Sequence, residues 1–154
     1  MDEVDLQIIS ALQQNARTSN ADLARLVGIA PSAMLERVRK LEERGFIRGY
    51  AANINARALG FGLTAFVFVR SDDMSDETAG LLADVPEVQE VHNVAGEDCY
   101  LLKVRVADTE SLGKLLTERI SKIKTIRSTR SIIVLQTIKE TTALPLEVGK
   151  RVKG

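Results

Sequence analysis

A chain of 154 residues with 45% apolar side chains can build one domain or two small ones, and with four Phe, two Tyr and no Trp its cores must be aliphatic. A single cysteine, Cys99, excludes an internal disulfide, and a single histidine, His92, argues against a zinc site. The 21 basic and 21 acidic side chains cancel, which argues against loose adhesion to nucleic acid, but local field rather than net charge steers a polyanion.

The cancellation hides segregation. Residues 71–98 hold nine acidic side chains and no Lys or Arg, and residues 119–130 hold five basic ones and no acid. Residues 31–50 hold five basic and three acidic side chains. No run approaches the roughly 18 apolar residues of a membrane span. The start "MDEVDLQII" lacks the basic and apolar regions of a signal peptide, so a cytoplasmic protein with no membrane partner is expected.

In "VDLQIISALQQNA", Val4, Ile8, Ile9 and Leu12 share one helical face, and Asp2, Glu3 and Asp5 suit the positive end of the helix dipole. In "SNADLARLVG", Ser19 with Asp22 three residues on marks a capped start. Leu23 and Val27 mark a buried face, and Gly28 a stop. After the turn "GIA", Pro31 fits the first position of a third helix that buries Met34, Val38 and Leu41 and ends at Gly45. Together these form a helix-turn-helix unit whose core the first helix closes. The segment "FIRGYAANIN" then reads as short extended pieces, a wing.

Burying Met34, Val38 and Leu41 leaves Ser32, Ala33, Glu36, Arg37 and Lys40 outward. In such units that face enters the DNA major groove, with its N-terminal half nearest the base edges. Ser32 and Ala33 are small enough for close approach, Arg37 and Lys40 suit guanine edges or phosphates, and Arg44 and Arg48 lie where phosphates would pass. The competing reading is a solvated face laced by pairs such as Glu36–Lys40; the helix-turn-helix spacing favours DNA.

"ARALGFGL" reads as a linker end. "LTAFVFV" (63–69) reads as a strand, "SDETAGLLADV" (75–85) as a helix, and "VQEVHNV" (88–94) and "CYLLKVRV" (99–106) as strands joined by "AGED". "DTESLGKLLTERISKI" (108–123) is an amphipathic helix and "RSIIVLQTI" (130–138) a last strand. The order β-α-β-β-α-β predicts a ferredoxin-like antiparallel sheet with both helices on one face. In its first strand Leu63, Ala65, Val67 and Val69 alternate with Thr64, Phe66 and Phe68, so both faces are largely apolar and the bare one calls for a second copy. The predicted class is α+β. The predicted parts are a winged helix-turn-helix (1–50), a linker (51–62), the ferredoxin-like domain (63–139) and a tail (140–154).

No catalytic set is visible: Asp72–Asp73 and Glu97–Asp98 are paired carboxylates on predicted loops, and there is no Gly-rich phosphate loop and no Ser/His/Asp set. No catalytic residue, metal ligand or cofactor is expected.

"LERVRKLEERGFIRGY", joined through "LGFGLTAFV" to "VAGEDCYLLKVRV", resembles the Lrp/AsnC family of feast/famine transcription regulators over nearly the whole chain. Matching positions in the first half include Asp2, Asp5, Ile8, Leu12, Arg17, Leu23, Ala24, Gly28, Arg37, Leu41, Glu42, Gly45 and Ile47, and "KETTALPL" (139–146) resembles tails of bacterial members. The resemblance implies binding to double-stranded DNA, dimers joined through the second domain and often assembled into octamers, and an amino acid or related small effector bound between dimers. The family's sensor loop, often G-x-x-D-Y, falls on Gly96, Glu97, Asp98, Cys99 and Tyr100, with Ser128 and Thr129 near hydroxyl-bearing positions of the same cleft. Two departures stand out. Cys99 stands where the family most often has aspartate, with Asp98 one place earlier, and a one-residue shift on a strand turns a side chain to the other face. Ala30 stands where many members have serine, which removes a helix cap unless Ser32 compensates.

Two other classes share this architecture. A sirohaem-decarboxylase-like enzyme would need basic or histidine groups around a tetrapyrrole, and His92 is alone. An interaction module would keep the fold without DNA binding.

Overall fold

The structure is a computed structural model that describes residues 1–147; the last part of the predicted tail, 148–154, lies outside the described residues. Two compact units form, Met1–Asn53 with residues 140–147, and Ile54–Lys139.

The first unit holds α1 (Glu3–Gln14), α2 (Asn20–Val27) and α3 (Pro31–Glu43). Each start is chemically distinct. Asp2 and Asp5 form a reciprocal capping box, in which the Asp5 N–H donates to Asp2 Oδ1 at 2.9 Å and the Asp2 N–H to Asp5 Oδ2 at 3.0 Å. Ser19 Oγ accepts from the Asp22 N–H at 3.1 Å, and α2 ends at Gly28 with φ 78°, the left-handed conformation glycine adopts without penalty. Pro31 opens α3, but Ala30 before it offers no side-chain cap and Ser32 supplies none. Ile8, Leu23, Ala24, Met34, Val38 and Leu41 are buried together, with Val4, Ile9, Leu12 and Val27 packed at their edge. Each fully buried aliphatic side chain contributes about 1.5–3 kcal/mol, so this small core depends on nearly every member. The wing predicted over 46–55 makes no β ladder. Tyr50 instead ties it back to α3, donating from its hydroxyl to Glu42 Oε1 at 2.8 Å. The tail is clasped to α1: the Leu144 N–H donates to Gln13 Oε1 at 2.7 Å and Gln13 Nε2 to the Leu144 carbonyl at 3.2 Å.

The second unit opens with a 3-10 turn at Arg57–Leu59 and continues through β1 (Leu63–Ser71), α4 (Asp76–Ala83), β2 (Val88–Asn93), β3 (Tyr100–Val106), α5 (Thr109–Glu118) and β4 (Ile126–Ile133). The sheet order is β2-β3-β1-β4, antiparallel throughout. Pleating sends Ala65, Val67 and Val69 with Tyr100, Leu102 and Val104 to one face. There they are buried with Leu82 of α4 and Leu112 and Leu115 of α5. Phe66, Phe68, Leu101 and Ile132 point the other way, away from both helices, and stay partly exposed.

The last strand corrects the expectation of 130–138. Its ladder runs from Ile126 to Ile133, opposite Ser71 to Ala65, and one more bond, Val134 N–H to the Thr64 carbonyl, ends it. β1 begins at Leu63 and offers no partner beyond that point, so the apolar Leu135 is 98% exposed despite its strand-like sequence. The amphipathic helix also stops earlier than 123: α5 ends at Glu118 and a 3-10 turn follows over Ile120–Lys122.

Candidate nucleic-acid interface and effector loop

On α3, Ser32, Ala33 and Lys40 are exposed, as are Arg44 and Arg48 after it. Lys40 Nζ lies 3.5 Å from Glu36 Oε1, an exposed pair that costs little to break. Arg39 bridges Glu36 and Glu43 along the helix. The Arg44 guanidinium sits 5.0 Å from the centre of the Phe46 ring. Burial first, then Glu42, pushes the Tyr50 hydroxyl up to about 12, so it remains a hydrogen-bond donor to that carboxylate.

Arg37 differs from expectation. Instead of projecting with Lys40, its Nη1 donates to Asp2 at 3.0 and 2.8 Å and to Asp5 at 2.8 Å. The cause is a pair of carboxylates from the first turn of α1 that the capping box holds in place. The Asp5 N–H and then Arg37 hold the Asp2 carboxyl below its usual range, and Asp2 and Asp5 raise Arg37. Asp5, Arg37, Lys40, Leu41 and Arg44 line one shallow hollow. The partnership spans more than thirty positions, so nothing local in the sequence signals it; the acids alone read as dipole partners of α1.

In the second unit the loop between β2 and β3 carries Gly96 with φ 137°, a conformation other residues rarely adopt, although a Cβ there would meet nothing within 4 Å. Backbone shape, rather than close approach, calls for the glycine. Glu97 is bound by Arg70, whose Nε donates to the Glu97 carbonyl at 3.3 Å and Nη2 to its carboxylate at 3.4 Å. Asp98 and Cys99 turn to opposite faces. Asp98 accepts from Arg130 Nη2 at 3.1 Å. Cys99 packs against the helix-side core, its N–H donating to the Val69 carbonyl at 2.9 Å and its Sγ to that of Ser71 at 3.3 Å. Tyr100 is fully buried, donates to the Ser75 carbonyl at 3.2 Å, and has its hydroxyl pushed up by that burial.

Ser128 and Thr129 do not converge. Ser128 pairs with Arg70 on the open face and Thr129 with Val69 on the helix face, because neighbours on a strand point oppositely. Arg70 pairs instead with Glu97, and Arg130, over Phe68, with Asp98; the sequence shows Arg130 only as part of a basic run and the start of a strand. Two pairs join the segregated stretches, Arg130–Asp98 here and Arg127–Asp72, while Glu97 is held by Arg70 from outside the basic stretch. An acceptor beside a donor at a strand start suits a ligand carrying both signs. His92 faces Glu90 at 3.1 Å, and among the described residues no three of His, Cys, Asp and Glu are placed to hold a metal. Among the described residues no helix is long and apolar enough to cross a membrane.

Comparison with known proteins covers both halves. Residues 1–48 match the winged helix-turn-helix DNA-binding family and residues 64–144 the Lrp/AsnC ligand binding domain. The leucine-responsive regulatory proteins of Salmonella typhimurium and Escherichia coli K12 are each 35% identical over 151 residues, covering 96% of this chain and 92% of theirs. A Neisseria meningitidis transcriptional regulator solved with L-Met superposes with a TM-score of 0.87 at 31% identity, over 95% of this chain and 97% of that one. Escherichia coli AsnC gives 0.85 at 30% identity, over 93% and 97%. The feast or famine regulatory protein of Mycobacterium tuberculosis, complexed with L-methionine, gives 0.86 at 37%, over 93% and 97%. With both modules matched in order along nearly the whole chain, this protein belongs to the Lrp/AsnC family of DNA-binding transcriptional regulators.

Proposed function

We propose that this regulator reads double-stranded operator DNA with the outer face of α3 and adjusts that binding to an amino-acid-like effector taken up at loop 96–100, acting in the cytoplasm as a homo-oligomer. Ser32 and Ala33 would allow close approach to base edges, Glu36 would accept from a base amino group, Lys40 would meet a base edge or a phosphate, and Arg44 and Arg48 would meet phosphates. Dimers would form through the open sheet face and associate further into tetramers of dimers. The modules divide as 1–50, a 51–62 linker, 63–139 and the tail.

The observation that carries this reading is the exposed small-and-basic face of α3 on a closed three-helix core. The L-methionine complexes of the Neisseria and Mycobacterium relatives support the effector class. Gly96, Asp98 and Arg130 support zwitterion binding, with the ligand's ammonium on Asp98 and its carboxylate on Arg130. Cys99, Tyr100 and Thr129 would shape the loop from behind, with Glu97 and Ser128 at its rim.

A mobility-shift titration against the gene's own upstream DNA, at stepped salt and with each of the amino acids, tests it. The expected result is specific binding whose logarithm falls linearly with the logarithm of salt, shifted by one or a few amino acids. Equal affinity for operator and unrelated DNA would refute the DNA-reading part, and indifference to every amino acid the effector part.

A further inference from the structure

The geometry points to Arg37 as a positioning residue, one that fixes the pose of α3 against α1 and leaves the reading of DNA to its neighbours. This rests on α3 being the recognition helix. One guanidinium nitrogen reaches three carboxylate oxygens, Asp2 Oδ1 at 3.0 Å, Asp2 Oδ2 at 2.8 Å and Asp5 Oδ1 at 2.8 Å. The acceptors are not free to follow Arg37 outward. Asp2 Oδ1 also takes the Asp5 N–H, and Asp5 Oδ2 takes the Asp2 N–H, so the capping box fixes both carboxyl groups to the backbone of α1.

Arg37 also occupies a decisive place on its own helix. It precedes Val38, lies three residues after Met34 and four before Leu41, all three buried against the core that contains Ile8 of α1. That core holds α3 against its neighbours, but aliphatic contacts tolerate rotation and sliding. A directional, charge-assisted tie beside them sets the azimuth of α3, and with it the direction of Ser32, Ala33, Glu36 and Lys40. Small errors in that direction matter, because base-edge contacts need well-aligned donors.

Direct reading of DNA by Arg37 is disfavoured on the same grounds. The Asp5 side chain is only 13% exposed. Releasing Arg37 to a phosphate would strand that shielded carboxylate without its cation and leave two aspartates facing the polyanion. Nη1 shares its two N–H groups among these three oxygens, and a guanidinium that gives up charge-assisted bonds to two carboxylates for one phosphate gains little.

The sign of one measurement decides between the roles. Replacing both acids by their neutral isosteres, Asp2→Asn with Asp5→Asn, keeps the capping geometry and removes two negative charges from a DNA-binding unit. Electrostatics alone would tighten DNA binding. Loss of the positioning tie should weaken it, by about tenfold, with the salt slope unchanged because no phosphate contact is lost. Arg37→Gln should do the same, and the combined variant should be no worse than either, since all remove one interaction. Circular dichroism checks folding; should the double variant unfold, Asp2→Asn alone, altering the exposed partner, should weaken binding in the same direction. Tighter or unchanged binding by the acid variant would overturn the assignment. So would a salt slope reduced by about 0.9 per subunit in Arg37→Gln, the mark of a lost phosphate contact. Lys40→Ala measured alongside separates the two readings: no change in its affinity or slope would count against the recognition face, while the sign of the acid variant still judges Arg37.

Discussion

Arg130 stands directly across the β1–β4 ladder from Phe68, with its guanidinium carbon 4.2 Å from the centre of that ring while Nη2 donates to Asp98 at 3.1 Å. The aromatic face holds the cation beside loop 96–100, and the carboxylate completes the pair. An α-amino acid entering there, as proposed, would exchange one ion pair for two. Asp98→Asn keeps the shape of the loop but removes the charge that would meet an ammonium. Its expected effect is an effector affinity lower by about tenfold in calorimetric titration, with effector-free DNA affinity unchanged.

The open sheet face carries Phe66 and Ile132 opposite one another in the same ladder, both away from the helix-side core. Covering them with a second copy removes apolar surface from water at about 25 cal/mol per Å². Phe66→Asp would place a charge in such a contact without altering the inward Ala65 or Val67. Sedimentation of the full-length variant should then show monomer at concentrations where the wild type associates; an unchanged sedimentation coefficient would exclude this face as the dimer contact.

Helix starts give a test of opposite signs. Ser19 caps α2, so Ser19→Ala should cost about 1 kcal/mol. Ala30 precedes α3 in extended conformation, φ −65° and ψ 144°, with no cap. Ala30→Ser restores an acceptor in a backbone already shaped for it and should stabilise the protein by a similar amount. Thermal unfolding midpoints should move in opposite directions, by several degrees for a unit of this size.

Asp108 caps α5, and the Ser111 N–H, donated at 2.8 Å, is the main reason its carboxyl lies below the usual range. The folded form therefore takes up protons less readily than the unfolded chain. The contribution is complete above the ordinary aspartate range near 3.8 and is lost as pH falls through the lower folded value. Asp108→Asn removes the titration but keeps a good cap. Unfolding measured from about pH 6 down to about pH 2 should show the variant losing less stability on acidification than the wild type.

The elements and their inward faces were legible because their causes are local. Caps act within four residues, as at Ser19 and Asp22, and burial follows a period of 3.6 or 2, so Met34, Val38 and Leu41 and the alternation from Leu63 to Val69 announce themselves. The motif order likewise pointed to the family. What the tertiary structure alone decided involves partners far apart in the chain. The end of β4 depends on where β1 begins, which left Leu135 outside the ladder although its neighbours read as strand. The opposed directions of Ser128 and Thr129 follow from that same register. Arg37 points to Asp2 and Asp5 because folding brings the first turn of α1 against the middle of α3. Its own surroundings, five basic and three acidic side chains between 31 and 50, show only an exposed charged face. A helix period tells which side of α3 is outward, but a long guanidinium chooses its partner from whatever charge the fold places within reach, and that choice is made in three dimensions.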